Sequence, residues 1–322
     1  MNRFEYVRPG SPKEAWELLS QKEGSVFKAG GVDILDHLKE HLIEPPRLVD
    51  LKALPGLKGV SRTPDGGLRV GPLTTLAELA GDSVVQASHP ALSQACAEAA
   101  SPQIRNVATV GGNVLQRPRC WYYRLESYRC LKKGGDACYA VAGENRYHVI
   151  FGGGPSYAPH PSNAAVALVA LGASFTLESP KGRRTVPAGE FYTLPSVDPR
   201  RENTLAPGEI LTAIDLPAPA GRSAYGEIRE RQAFDWPLVS VATSLALEGG
   251  QVKHVSIVLG AVAPIPWRSS RAEEALKGQR LDPDSAAAAA QAATIGASPL
   301  SDNRYKVGLV QTLVRRTLLG FL

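Results

Sequence analysis

Lys28-Ala29-Gly30-Gly31-Val32-Asp33 is the stretch on which the fold turns. Val26 and Phe27 lead into it as an apolar strand, and Ile34, Leu35 and Leu38 follow at helical spacing, so it reads as strand, tight turn and helix start. Paired glycines lack Cβ and accept positive φ, which lets their N–H groups converge on an anion at the positive end of the helix that follows. A pyrophosphate suits such a turn, although Gly-Gly before an aspartate is also an ordinary turn and helix cap.

About eighty residues further on, Thr109-Val110-Gly111-Gly112-Asn113 offers a hydroxyl, close backbone approach at Gly111 and Gly112, and an amide. That is the inventory of a second phosphate-cradling turn. Neither peptide is G-x-G-x-x-G, and no G-x-x-x-x-G-K-S/T occurs, so the nicotinamide-Rossmann and P-loop signatures are both missing.

The chain has 322 residues, 43% hydrophobic and 21% charged, enough for two or three domains with real cores and without the bias of a disordered or membrane-spanning protein. The opening Met1-Asn2-Arg3-Phe4-Glu5-Tyr6 has no apolar run behind its charge, which makes the cytoplasm the expected location. A net charge of +5 without a long Lys/Arg run argues against a nucleic-acid partner; Arg183-Arg184 and Arg315-Arg316 read as solvated faces. No G-x-S-x-G is present to suggest a serine hydrolase.

Working outward, Ser11 caps a helix carrying Ala15, Trp16, Leu18 and Leu19, and Leu48-Val49-Asp50-Leu51 is a short strand. Pro64-Asp65-Gly66-Gly67 turns into the strand Leu68-Arg69-Val70. Pro72 to Ala80 and His89 to Ala100 read as helices, the latter carrying Cys96 as a small core residue. A small-residue helix from Ala164 to Leu171 precedes a hairpin around Pro180-Lys181-Gly182. Pro217-Ala218-Pro219-Ala220-Gly221 is the clearest linker. Beyond it come a hairpin through Glu248-Gly249-Gly250-Gln251, the alanine-rich helix from Ser285 to Ala293 and an amphipathic helix from Tyr305 to Leu319. The expected divisions are 1–54, 55–218 and 222–322.

From Arg117 to Tyr147 the texture is aromatic, basic and glycine-rich with no helix or strand period, an insertion held by something other than its own core. Cys120, Cys130 and Cys138 follow there in a C-x9-C-x7-C spacing, and thiolates converging on a metal or cluster would supply the missing order. Arg119, Arg124, Arg129, Lys132 and Lys133 would offset a cluster's charge. Structural zinc sites usually show closer C-x2-4-C pairs, and the insertion has no fourth cysteine; His148 and Ser156 are the nearby candidates.

These residues together resemble the FAD-binding medium subunit of the xanthine dehydrogenase and molybdenum hydroxylase family, especially the branch whose flavin subunit carries an extra 4Fe-4S cluster. Flavin subunits of periplasmic aldehyde oxidoreductases and of 4-hydroxybenzoyl-CoA reductase belong to that branch. Carriers of the resemblance are Ala29 to Ile34, Ile104 to Asn113, Gln116 to Tyr122, Gly143-Glu144-Asn145, His160-Pro161-Ser162, Leu205 to Glu209 and Arg229-Glu230-Arg231-Gln232-Ala233-Phe234-Asp235. It spans nearly the whole chain.

The resemblance implies an α+β architecture, a two-subdomain FAD-binding domain followed by a smaller α+β C-terminal domain like that of CO dehydrogenase flavoproteins. It implies that Lys28, Ala29, Gly30, Gly31, Val32, Asp33, Ile34 and Leu35, with Thr109, Gly111, Gly112 and Asn113, hold the FAD pyrophosphate and neighbouring groups. Ser162 and Asn163 would lie near the adenosine, Leu205 in the flavin pocket, and Arg229 to Phe234, including Arg231, near the isoalloxazine. Cys120, Cys130, Cys138 and Ser156 would hold the 4Fe-4S cluster within about residues 117–157. The implied partners are a large molybdenum-cofactor subunit, a small subunit with 2Fe-2S centres and an external electron acceptor, in a heterotrimer or its dimer. Electrons would pass from those centres through FAD to the acceptor, with no catalytic acid or base required of this chain. Export with a signal-bearing partner would place such a complex in the periplasm.

Three positions depart from the family pattern. Ser156 stands where the branch often has a cysteine, Asn163 where aspartate is usual, and Glu227 where lysine is frequent. A carboxylate at 227 disfavours an anionic reduced flavin. Two other readings stay open from sequence: a free-standing flavin oxidase or reductase of the same FAD-binding superfamily, which would turn over alone, and a zinc-stabilised interaction module, which would carry zinc and no flavin.

Overall fold

A computed structural model describes residues 1–231 and 234–322. Gln232 and Ala233, part of the peptide quoted above, lie outside the described residues. Three sheets follow one another along the chain.

The first is parallel, in the order β1-β3-β2, from β1 (Glu5–Val7), β2 (Val26–Lys28) and β3 (Arg47–Asp50). Parallel neighbours need crossovers, and the helices Pro12–Ser20 and Val32–Lys39 lie in those connections. Ser11 caps the first of them as expected, accepting from Glu14 N at 3.2 Å. All four residues of the central strand β3 are buried.

The second sheet is antiparallel, β4-β5-β8-β6-β7, built from β4 (Val60–Arg62), β5 (Leu68–Val70), β6 (Ser174–Ser179), β7 (Gly182–Pro187) and β8 (Ile210–Leu216). The third, also antiparallel, is β12-β11-β10-β9, from β9 (Arg222–Arg229), β10 (Pro237–Glu248), β11 (Gln251–Gly260) and β12 (Trp267–Arg268). Helices Ser270–Leu276, Pro283–Ala292 and Tyr305–Leu319 complete the C-terminal unit, where Val241, Ile257, Ala289, Val310 and Val314 share one core.

Helix Asn163–Ala170 joins the second and third units. All its residues but Val169 are buried, because Ala164, Ala165 and Ala167 let neighbouring backbones approach from several sides. Its core includes Phe175 and Ile214 on one hand and Ala242 and Val258 on the other. The Pro217–Gly221 segment is therefore a chain connection laid over continuous apolar packing rather than a physical gap.

The helix expected from Pro72 to Ala80 is only Leu76–Gly81, because Thr75 and Glu78 form a reciprocal capping box that fixes its start. Residues Pro90–Glu98 are helical, with proline at the first position and Cys96 fully buried. No helix among the described residues is long and apolar enough to cross a membrane.

The cysteine insertion has little regular structure and is held at three places. Arg124 reaches Asp33 and Asp36 on helix Val32–Lys39, each at 2.7 Å. Lys132 reaches Glu202 at 2.8 Å, in the second unit. Asn145 donates to Ser301 Oγ at 2.9 Å and accepts from Asp302 N at 2.9 Å, tying the insertion to the C-terminal unit. Buried Lys306 adds a bond to the Tyr147 carbonyl at 3.0 Å.

Candidate functional site

The glycine turn after β2 behaves differently at its two glycines. Gly31 has φ +88° and caps the helix Val32–Lys39, a conformation that L side chains rarely adopt. Gly30 has no such φ; its role is contact, since a Cβ there would stand 2.4 Å from the Val107 carbonyl oxygen. The two glycine peptides thus touch, and no side chain fits between them.

The second peptide is not an open turn. Val110–Val114 is a short helix whose Thr109 hydroxyl accepts from Gly112 N at 3.2 Å, so that oxygen is engaged in capping. Gly111 packs on Pro72, which a Cβ would meet at 2.8 Å.

Between these peptides opens a cleft of about 460 Å³. Lys28, Ala29, Gly30, Gly31, Val32, Asp33 and Ile34 line one wall, with Thr109, Gly111, Gly112 and Asn113 opposite; Asn163 and Leu205 contribute from the second unit and Phe234 and Trp236 from the third. Leu35, Ser162 and Arg231 are not on its walls. Ser162 is buried one layer behind, donating to Asn113 Oδ1 at 2.6 Å while accepting from Ala165 N at 2.9 Å. Arg231 is an exposed side chain 3.9 Å from Asp235.

Charge on the first wall is organised around two carboxylates. Lys28, itself buried, lies 3.4 Å from Asp50 and 3.2 Å from its neighbour's carbonyl. Burial alone pushes the Asp33 carboxyl up, but Arg124 and Arg119 outweigh it and hold the group below the usual carboxylate range. As an anion in the first turn of its helix, Asp33 also suits the helix dipole. Burial brings His37, 3.9 Å from Asp33 and one turn further along the same helix, down to about 4, so the imidazole beside that carboxylate is neutral.

Reasoning from sequence missed Arg119, Trp236 and the segment Ala99–Ser101, all of which line the cleft. Arg119 stands 4.9 Å from the Trp236 ring centre, a cation–π contact closing one end. Its sequence signal was proximity to Cys120, read there only as cluster charge. Ala100 has φ +48°, held by Arg105 bonds to the carbonyls of Ala99 and Ala100 at 2.9 and 2.7 Å. An alanine gives no local warning of that conformation.

Cys120, Cys130, Cys138 and Ser156 line one small cavity of about 10 Å³, with Tyr122, Tyr123 and Lys132. Among the described residues, no group of three or more His, Cys, Asp or Glu side chains gathers as a single metal ion requires. Burial pushes the Cys120 thiol up to about 12, and the other two cysteines push in the same direction. His148 Nε2 lies 3.2 Å from Cys120 Sγ, and burial lowers that imidazole to about 4. Cys120 and the cleft-lining Arg119 are consecutive residues, so the two sites share one stretch of backbone.

Comparison with known proteins covers almost all of this structure. Residues 2–219 match the model of the FAD binding domain in molybdopterin dehydrogenase, and residues 223–321 match that of the CO dehydrogenase flavoprotein C-terminal domain. The aldehyde oxidoreductase FAD-binding subunit PaoB of Escherichia coli is 35% identical, over 100% of this chain and 98% of its own. The carbon monoxide dehydrogenase medium chain of Hydrogenophaga pseudoflava is 30% identical, over 98% and 96% respectively. Among solved structures, carbon monoxide dehydrogenase from that organism superposes with a TM-score of 0.77 at 29% identity, covering 99% of this chain and 96% of the other. Quinoline 2-oxidoreductase from Pseudomonas putida 86 gives 0.78 at 26%, with the same coverage.

Proposed function

Because the chain belongs to the family of FAD-binding subunits of molybdopterin dehydrogenases, we propose that the cleft between its two glycine peptides seats FAD and that the chain serves as the flavoprotein relay of a larger complex. The observation that carries this reading is the contact of Gly30 with Val107, which leaves a cleft walled by backbone at the start of an eight-residue helix. The N–H groups at that start suit a pyrophosphate, and Lys28 adds a buried positive charge beside them. Apolar walls from Ile34, Leu205 and Trp236 exclude water from a planar ring system. FAD, when bound, supplies two-electron storage with single-electron exchange. The chain's own residues bind, orient and shield; none is required as a general acid or base.

The partners we assign are a large molybdenum-cofactor subunit, a small 2Fe-2S subunit and an external acceptor. Support comes from the relatives, which are named medium chains and FAD-binding subunits. Substrate oxidation then occurs on a partner, and aldehydes are the first class to try, given the 35% identity to an aldehyde oxidoreductase subunit.

We further assign a 4Fe-4S cluster to Cys120, Cys130, Cys138 and Ser156. A cluster spreads its ligands around its corners instead of gathering them on one ion, and this donor set of three thiols and a hydroxyl faces a single cavity. That cavity is about the size of one water, so seating a cluster requires the insertion to open.

The test is anaerobic purification of the full chain with its partners, an absorption spectrum, and assay of FAD, iron, labile sulfide and zinc on one sample. The expected result is about one FAD and about four irons per chain. FAD without iron would remove the cluster and leave the flavin assignment; protein without FAD would overturn the reading, and substrate-driven flavin reduction in the isolated chain would favour a free-standing oxidoreductase.

A further inference from the structure

We propose that Glu227 is a positioning residue of the cofactor cleft: it turns the Asn163 amide so that its carbonyl Oδ1 is offered to the cleft, as acceptor for a hydroxyl or amine of the flavin nucleotide. The inference rests on the FAD reading above and assigns a role to a residue that does not itself line the cleft.

Asn163 Nδ2 donates to Glu227 Oε2 at 2.8 Å, and the Tyr225 hydroxyl donates to the same oxygen at 2.7 Å. Arg229 Nε stands 3.0 Å from the other oxygen, and Glu98, on the helix packed against β9, pairs with Arg229 in turn. Above about pH 7, where Glu227 is ionised, its carboxylate has only acceptors, so there the amide must present its NH₂ side to it. Among the described residues nothing donates to Asn163 Oδ1, and Asn163 forms part of the cleft wall. Tyr225, Glu227 and Arg229 alternate along β9 and so lie on one face of it.

Ser162 does the converse for Asn113. Its hydroxyl donates to Asn113 Oδ1 at 2.6 Å, leaving the Nδ2 of that cleft-lining residue as a donor. Two asparagines are thereby locked in opposite senses, one donating and one accepting. Burial raises Glu227 to about 7, against the pull of Tyr225 and Arg229 and with the help of Glu98.

The experiment uses the full chain stripped of flavin, titrated with FAD by fluorescence at about pH 6 and about pH 9, beside thermal unfolding of the apoprotein. Variants are N163D, E227Q and N163D/E227Q. N163D sets two carboxyls face to face; they share a proton at the lower pH and repel at the higher, where FAD should bind about tenfold more weakly. E227Q keeps an acceptor and should stay within about threefold of wild type; the double variant should recover to the same range, its new amide donating to its new carboxylate. Wild-type affinity of N163D at the higher pH, or a loss that E227Q does not relieve, would overturn the proposal. If N163D does not fold, E227M decides: weaker FAD binding with unchanged apoprotein melting supports positioning, and unchanged FAD binding refutes it. Wild-type protein that binds no FAD would instead sink the reading of the cleft.

Discussion

Arg124 donates to the Asp33 carboxylate at 2.7 Å, joining the cysteine insertion to the first turn of the cleft helix. The same guanidinium also bonds Asp36 Oδ2 at 2.7 Å and the carbonyls of Pro118 and Arg117 at 2.8 and 3.0 Å. One planar group therefore ties the cysteine insertion to the helix that lines the cleft.

Replacing it with alanine leaves the largely buried Asp33 with Arg119 at 3.0 Å and the Arg117 N–H at 3.0 Å. Arg124→Ala should lower unfolding stability by about 3 kcal/mol, as removal of one partner from a buried ion pair does. Arg124→Lys should recover only part, since an ammonium cannot reproduce the fork. Urea denaturation measures both, and a loss below about 1 kcal/mol in the alanine variant would contradict the role given to the contact.

Alanine substitutions should rank the glycines by what surrounds them. Gly30→Ala drives a Cβ to 2.4 Å from backbone and should be worst, about 3 kcal/mol with loss of FAD binding. Gly31→Ala, at φ +88°, should cost about 1–2 kcal/mol. Gly112→Ala meets only the Thr109 hydroxyl at 3.1 Å and should fold nearly as well as wild type. Thermal melts of the three variants would expose any other order.

Stability should fall as pH drops from about 6.5 to about 4. Burial depresses His37 and His160 to about 4, so across this window the unfolded chain binds protons that the folded chain refuses. The stabilisation is complete above the unfolded value of about 6.5 and declines below it. His160→Gln should flatten the slope of unfolding free energy against pH by about one proton across that range. An unchanged slope would show that His160 is protonated in the folded chain.

Glu202 receives buried Lys132 at 2.8 Å and the partly exposed Arg117 at 2.9 Å, so its carboxylate lies between two cations. Burial raises the Glu202 carboxyl, but Lys132 and Arg117 together hold it below its ordinary value. The stabilisation is thus present above the usual glutamate range and disappears as pH falls through the lowered value. Glu202→Gln leaves Lys132 buried without a counter-charge and should cost about 3–4 kcal/mol at neutral pH, read by guanidinium denaturation.

Much of this was legible from sequence because it is local. The strand, glycine turn and helix at 26–39, the Ser11 cap and the hairpin at 248–251 are each decided within a few neighbours. The cysteine insertion was legible as a region lacking its own core, but its anchors lie far along the chain: Asp33 is 91 residues from Arg124, and Glu202 is 70 from Lys132. The same limit hid Trp236, which reaches the cleft only because β10 packs beside β9 and helix Asn163–Ala170. Asn163 and Glu227 each looked like a separate departure from the family pattern; 64 residues apart, they are hydrogen-bonded to one another.

Phe234, Trp236 and Pro237 close the cleft from the last third of the chain, while its first wall is complete by Ile34. During synthesis on a ribosome, the glycine turn emerges long before the aromatic end that faces it. On the proposed reading of the cleft, flavin capture is a late step in the maturation of this polypeptide, and a nascent chain arrested before residue 234 would display the first wall without the aromatic end that closes it.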